Sequence, residues 1–233
     1  AIEATKKALT KANLDSKQID IVILATTTPD KTFPATAVKV QSELNMKTGP
    51  AFDIQAVCAG FIYALKVASS ILQTSNLDKA IVIGSESFSK ILDWNDRSTS
   101  VLFGDGAGAV ILEKYKNFNK WGLLASNFYS DGNFSNILYT DNGPGTDSKV
   151  GKVRMNGKEV FKHAVEKLSS SLKDVIKDAN LCVDDIDYLI PHQANIRIID
   201  SLSKKLNFPK EKIINTVDIH ANTSAASIPL ALS

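Results

Sequence analysis

This chain resembles itself at an offset of 167 residues, and that constrains its fold more than any other feature. Lys11-Ala12-Asn13-Leu14 lines up with Asp178-Ala179-Asn180-Leu181, Ile19-Asp20 with Ile186-Asp187, Ile23 with Ile190, and Ala64-Leu65 with Ala231-Leu232. The identities are few, but they fall in segments whose helix and strand signals run in the same order. Far longer than a solenoid period, the offset marks two homologous halves, 1–118 and 119–233, packed as one structural unit.

In the first half, residues 1–12 read as a helix, 19–25 as a buried strand of Ile and Val, and 35–44 as a helix behind Pro34. A short apolar run at 51–54 precedes Cys58, which opens a further helix with Phe61, Ala64, Leu65, Val67 and Ala68 at roughly helical spacing. Residues 80–84 form an almost wholly apolar strand, and glycines lead into another over 104–112. Strands buried on both faces read this way. The second half is expected to hold a strand over 122–129, a long helix over 157–178, a strand over 188–190 and a helix over 195–206. Residues 131–156, with Asp131-Gly132 and Asn142-Gly143-Pro144-Gly145, read as a loop-rich connection. Alternating β and α units imply an α/β layered fold. Strand 122–129 has no counterpart ahead of Ala1, and 79–112 has none after Ser233, so the doubled unit is expected to be truncated at both ends.

Charge and cysteine content narrow the function classes. With 27 basic and 25 acidic residues, the formal charge is +2, which gives no bulk attraction to nucleic acid or membrane. The 44% hydrophobic composition suffices for a sizeable core. No apolar run is expected to be long enough to cross a membrane, and residues 1–11 are amphipathic rather than signal-like, so a cytoplasmic location is expected. Two cysteines make no disulfide framework. With three histidines at no ligand spacing, no metal is expected.

The two cysteines read differently. Cys58, in Ala56-Val57-Cys58-Ala59-Gly60-Phe61, stands where the free N–H groups and positive end of a helix favour a thiolate, with small neighbours that admit a substrate carbonyl. A cysteine among apolar residues is as often plain core, and Cys182 is the ordinary case. His192, in Pro191-His192-Gln193-Ala194-Asn195, ends a strand at the edge where open α/β sheets bind ligands. Asn222, in His220-Ala221-Asn222-Thr223-Ser224-Ala225-Ala226-Ser227, runs into a helix at the place matching Cys58, and also suits a helix cap. The duplication therefore brings His192 and Asn222 towards Cys58. Gly104, Gly106 and Gly108 lack the Lys-Ser/Thr of a phosphate loop and read as sites of close backbone packing.

Together the cysteine segment, PHQAN, HANTSAAS and FGDGAGAVIL resemble the signatures of the β-ketoacyl-acyl-carrier-protein synthase III family, over essentially the whole chain. The resemblance implies a thiolase-like fold, two duplicated βαβαβ halves in an α-β-α-β-α layering, incomplete at both termini. It implies a condensing acyltransferase that needs no cofactor, since CoA thioester is a substrate. Cys58 would take an acyl group from acyl-CoA; malonyl-acyl-carrier protein would then lose carbon dioxide, and its enolate would attack the acyl-enzyme. His192 and Asn222 would steady the enolate oxygen. Asn222 points to the initiating enzyme, because elongating relatives use two histidines. By the same resemblance Arg97 meets the CoA nucleotide, Met155, Gly157, Phe161, Ala194 and Asn195 line the pantetheine path, and Phe33 reaches the partner's acyl pocket in a homodimer. Lys162, Arg197, Lys204 and Lys205 would receive the acidic carrier protein, Arg197 and Lys204 sharing a helix face. Three other readings are a starter condensing enzyme of secondary metabolism, an inert relative that only binds CoA or carrier protein, and a cysteine hydrolase. The duplication and the absence of a papain-like cysteine signature disfavour the hydrolase.

Overall fold

The structure is a computed structural model that describes residues 1–115, 122–146 and 149–233. The expected boundary between halves, 118/119, lies outside the described residues. At the centre of the first half is β1 (Ile21–Ala25), parallel to β2 (Ala51–Ile54) on one side and to β3 (Lys79–Ser87) on the other. Then β4 (Asp105–Glu113) closes the order β2-β1-β3-β4 by pairing antiparallel to β3, with Ile81 opposite Ile111.

Every residue of β1 is buried because helices cover both faces. On one face Ile21, Ile23, Ala25, Ala80 and Val82 pack on Phe61, Ala64, Ala68 and Leu72 of α3 (Gly60–Thr74). On the other, Val22, Leu24, Ile81 and Ile83 meet Leu9 of α1 (Ile2–Ala12) and Ala37 and Val40 of α2 (Thr36–Glu43). A helix start needs acceptors for its free N–H groups. For α2 they come from Asp53 of β2, whose carboxylate accepts from Thr36 N at 2.7 Å and Ala37 N at 2.8 Å.

The remaining elements are α4 (Arg97–Ser100), the antiparallel pair β5 (Leu138–Thr140) and β6 (Val153–Met155), α5 (Gly157–Asp178), α6 (Ile196–Leu206), α7 (Val217–His220) and α8 (Ser227–Ala231). Three expectations need correction. Residues 131–156 are not only loop: β5 and β6 pair, and Arg154 joins Asp141 and Asp93 at 2.7 and 2.9 Å. Residues 122–129 run without a ladder, held instead by the Tyr63 hydroxyl donating to Tyr129 O and by a tilted ring contact of Tyr63 with Phe128. Residues 188–190 make one bridge, Leu189 to Ile213, rather than a strand. Apolar pattern marks which residues want burial; a ladder also needs neighbours on both sides, which β1 has and 188–190 lacks among the described residues. A fourth correction concerns length: the window Val57–Thr74, mean hydropathy 1.4, is long and apolar enough to cross a membrane. Its apolar face is instead packed on the sheet.

Backbone geometry confirms the 167-residue offset. Asn13 and Asn180 end their helices with φ of 53° and 56°, short 3-10 turns follow at Ser16–Gln18 and Val183–Asp185, and another matching pair stands at Val57–Ala59 and Ser224–Ala226. Val57 and Ser224 open the latter pair with φ of 46° and 49°. A positive φ is uncommon for either residue type, so its recurrence is a built feature of both halves.

Candidate active site

The two recurrent turns meet. Gly84 of β3 lacks the side chain that would strike the carbonyl of Ala225, and a Cβ on Gly108 of β4 would sit 2.7 Å from the Pro229 backbone. The second-half turn and α8 thus lie directly on the first-half sheet, as the glycines of FGDGAG led us to expect. Asn222 is tied to the same place: its N–H donates to Leu102 O at 2.9 Å and its C=O accepts from Gly104 N at 3.0 Å.

Cys58 sits within its turn, two residues ahead of Gly60, the first residue of α3. The expectation that this position favours a thiolate is not met. Burial pushes the thiol up to about 11; the Ser224 hydroxyl beside it counteracts this, while the charge of Glu86 adds to it. Desolvation of a small anion outweighs the partial charge of a helix start.

His192 opens onto the same apolar cavity as Cys58, a space of about 530 Å³ also lined by Ile62, Tyr63, Phe128, Leu168 and Leu202. Burial lowers its pKa to about 4, so it is neutral at pH 7. Its Nδ1 lies 2.6 Å from Ser227 Oγ, and that oxygen also accepts from Gln193 N at 3.3 Å. The Ser227 hydroxyl has no other acceptor among the described residues, so we assign it as donor to Nδ1, which leaves the ring proton on Nε2. Gln193 fixes the loop: its amide donates to Pro191 O and Ile214 O and accepts from Thr216 N. In the buried Asn222, Oδ1 accepts from Ser224 N at 2.9 Å, which is the expected cap, and Nδ2 makes no hydrogen bond among the described residues. The thiol and the imidazole thus share one cavity where the halves meet, and Asn222 caps the Ser224–Ala226 turn that packs against the turn of Cys58.

The other expected residues scatter around this centre. Arg97 is exposed at the start of α4, Met155 ends β6, Gly157 and Phe161 lie in the first turns of α5, and Ala194 and Asn195 precede α6. Asn195 spends its Oδ1 on the α6 start, accepting from Arg197 N at 2.8 Å. Lys162, Arg197, Lys204 and Lys205 are exposed, and Phe33, 82% exposed on the loop before α2, is not among the residues that line the cavity. Sequence reading missed Ser224, Ser227, Gln193 and Glu86, whose partners are distant in the chain. No metal cluster of three His, Cys, Asp or Glu occurs among the described residues.

A thiol and a neutral imidazole on one cavity of a doubled α/β scaffold fit a condensing acyltransferase of the thiolase-like fold. Known proteins place it further. Family models for 3-oxoacyl-[acyl-carrier-protein] synthase III match residues 52–132, and for its C-terminal part 176–233. The beta-ketoacyl-[acyl-carrier-protein] synthase III of Wolbachia pipientis wMel is 57% identical over 233 residues, covering 100% of this chain and 72% of the relative. The crystal structure of 3-oxoacyl-[acyl-carrier-protein] synthase III from Aquifex aeolicus VF5 superposes with TM-score 0.93 at 45% identity, over 100% of this chain and 72% of that one. A priming β-ketosynthase of the R1128 polyketide pathway follows at TM-score 0.88 and 31% identity, over 99% of this chain and 70% of that one. The chain belongs to the β-ketoacyl-acyl-carrier-protein synthase III family, the condensing acyltransferases that initiate fatty-acid synthesis.

Proposed function

We propose that Cys58 is the acyl-accepting nucleophile and that His192 and Asn222 are the donors of the second half-reaction. The sulfur attacks the thioester carbonyl of an acyl-CoA; the C–S bond to CoA breaks, and CoA leaves with the proton the thiol gives up. Malonyl-acyl-carrier protein then releases carbon dioxide. The enolate oxygen that forms accepts from His192 Nε2–H and Asn222 Nδ2, and the carbanion attacks the acyl thioester, expelling Cys58. Preorganised donors of this kind are worth on the order of 10²–10³-fold each in rate. The pairing of His192 Nδ1 with Ser227 Oγ at 2.6 Å, on the cavity shared with Cys58, is the observation that carries this reading, since a hydroxyl donating to Nδ1 leaves the ring proton on Nε2.

In this reading Arg97 holds the CoA nucleotide, and Met155, Gly157, Phe161, Ala194 and Asn195 line the path of the pantetheine arm. Lys162, Arg197, Lys204 and Lys205 form the cationic approach for carrier protein, and Phe33 enters the partner's acyl pocket in a homodimer at work in the cytoplasm. The polyketide likeness at 31% identity is weaker than the 57% likeness to a fatty-acid-initiating relative, which favours the latter substrate class. Incubation with acetyl-CoA followed by intact mass and peptide mapping tests the central claim. An acetyl group on Cys58 is expected; an unmodified Cys58 in folded protein overturns it.

A further inference from the structure

Among the described residues Glu86 is the one buried carboxylate, 3% exposed on β3. Water-excluded carboxylates persist where protein donors replace their hydration. Its oxygens accept from Thr28 Oγ1 at 2.7 Å, from Thr27 N at 3.1 Å, from Thr26 Oγ1 at 3.5 Å and, across the halves, from Ser224 Oγ at 3.3 Å. Three of these donors belong to the loop leaving β1. The fourth belongs to the turn that Asn222 caps.

Ser224 has a single hydroxyl proton and two claimants for it. One is Glu86; the other is the Cys58 sulfur, beside which the same hydroxyl stands. While Cys58 is a thiol, the proton goes to Glu86. An ionised sulfur would draw it away, leaving Glu86 with one donor fewer and facing a second negative charge. We propose that Glu86 is a positioning residue: it keeps the Ser224 hydroxyl proton from the Cys58 sulfur and favours the states in which sulfur carries no charge, the resting thiol and the acyl-enzyme, over the free thiolate. Acylation removes the conflict, since the S–H proton departs with CoA and the new C–S bond leaves sulfur neutral. The device thus favours keeping the acyl group on Cys58 until the enolate forms. Burial raises the pKa of both groups, and the charge of Glu86 adds to the rise at Cys58.

Other charged or titratable groups near the sulfur do not explain it. His192 is neutral, Tyr63 and Tyr129 line the cavity, and Lys167, also on the lining, is paired with Asp131 at 3.1 Å.

The inference rests on Cys58 being the nucleophile, yet it is tested on the thiol itself, so condensation need not work for the answer to be read. Iodoacetamide alkylation is followed against pH by mass spectrometry, with peptide mapping to separate Cys58 from the exposed Cys182. Glu86→Gln is expected to move the midpoint to lower pH and to speed alkylation at about pH 8 by roughly tenfold, one pKa unit. Ser224→Ala, which removes the donor available to a thiolate, is expected to move it upward and slow alkylation by a similar factor. Loosened packing alone would move both towards an ordinary thiol. Opposite shifts support the proposal; shifts of the same sign, or none, overturn it. If Glu86→Gln does not fold, Ser224→Ala decides: an upward midpoint supports, any other result overturns.

Discussion

Two turns with the same backbone, Val57–Ala59 and Ser224–Ala226, do opposite work. Each opens on a positive-φ residue and each leads straight into a helix. One presents Cys58 at the cavity, and the other presents Ala225, 1% exposed, to the core. The same split recurs along the offset: Ala25, fully buried, matches His192, exposed Gln55 matches buried Asn222, and Gly60 matches Ser227. The side chains proposed to carry the chemistry are divided between the copies, and each has a small or non-reactive counterpart in the other. The inert copies converge, since a Cβ on Gly60 would lie 3.2 Å from Ala25 Cβ and 3.6 Å from Ala225 Cβ. Duplication supplied the backbone device twice; chemistry needed two different surfaces, and the spare copies became packing.

The largest test of this division moves the thiol. The double variant Cys58→Ala, Ala225→Cys keeps one thiol on a matching turn. It is expected to take up no acetyl group at position 225 by intact mass, because that side chain faces the core formed by Phe61, Ala64 and Ile23. Acetylation there would mean that the turns are interchangeable and that burial does not select between them.

Next in size is His192→Ala, which makes the second half resemble the first at Ala25. Decarboxylation of malonyl thioester is expected to fall on the order of 10²–10³-fold, while acetylation of Cys58 persists. Its pH dependence has a defined sign. The folded value of about 4 lies below the ordinary 6.5, so between these the unfolded chain binds more protons. The contribution of neutral His192 to stability is full above about pH 6.5 and is lost as pH falls towards 4. The donor form survives over that whole window, so the His192-dependent acidic limb of decarboxylation is expected near pH 4. A limb near 6.5 would show that burial does not control the ring.

Smaller again is Ser227→Gly, which restores the first-half residue. Without the hydroxyl on Nδ1 the ring is free to take either tautomer, and decarboxylation is expected to fall by roughly tenfold with acetylation unchanged, a loss comparable to one hydrogen bond to a polar group. The tautomer is directly measurable by ¹⁵N NMR, with only three histidines to assign. Retention of a single Nε2–H form in the variant would remove Ser227 from the site.

Much of this was legible in the sequence, for physical reasons that also explain what was not. The core of β1 and β3 reads from local apolarity, and Cys58, His192 and Asn222 read from short segments placed by the offset. Glu86 did not, since Gly84-Ser85-Glu86-Ser87 looks like a solvated strand end until a turn 138 residues away covers it. Ser224 and Ser227 look like capping serines until one finds the carboxylate and the imidazole they serve. Strand-like residues 188–190 carry the right side chains, yet a ladder is a property of neighbours, and no pattern within the segment reports how many it has.

The smallest expected effect lies where the inert copies meet. Gly60→Ala adds helix propensity at the start of α3, a gain of about 0.5–1 kcal/mol in an exposed helix. Against this, the new methyl stands 3.2 Å from Ala25 Cβ and 3.6 Å from Ala225 Cβ. Neither neighbour has a rotamer to give: Ala25 is fixed between β2 and β3, and Ala225 is part of a turn whose carbonyl already abuts Gly84. Relief therefore has to come from α3 or the turn moving as a whole, and overpacking of this sort costs about 1–3 kcal/mol. The net expectation is a destabilisation of about 1 kcal/mol, seen as a Tm lower by roughly 2–4 °C. It should also slow acetylation, because Cys58 is two residues away on the element that has to shift. A raised Tm with unchanged acetylation would show that the contact is slack, and that packing between the spare copies does not hold the nucleophile in register.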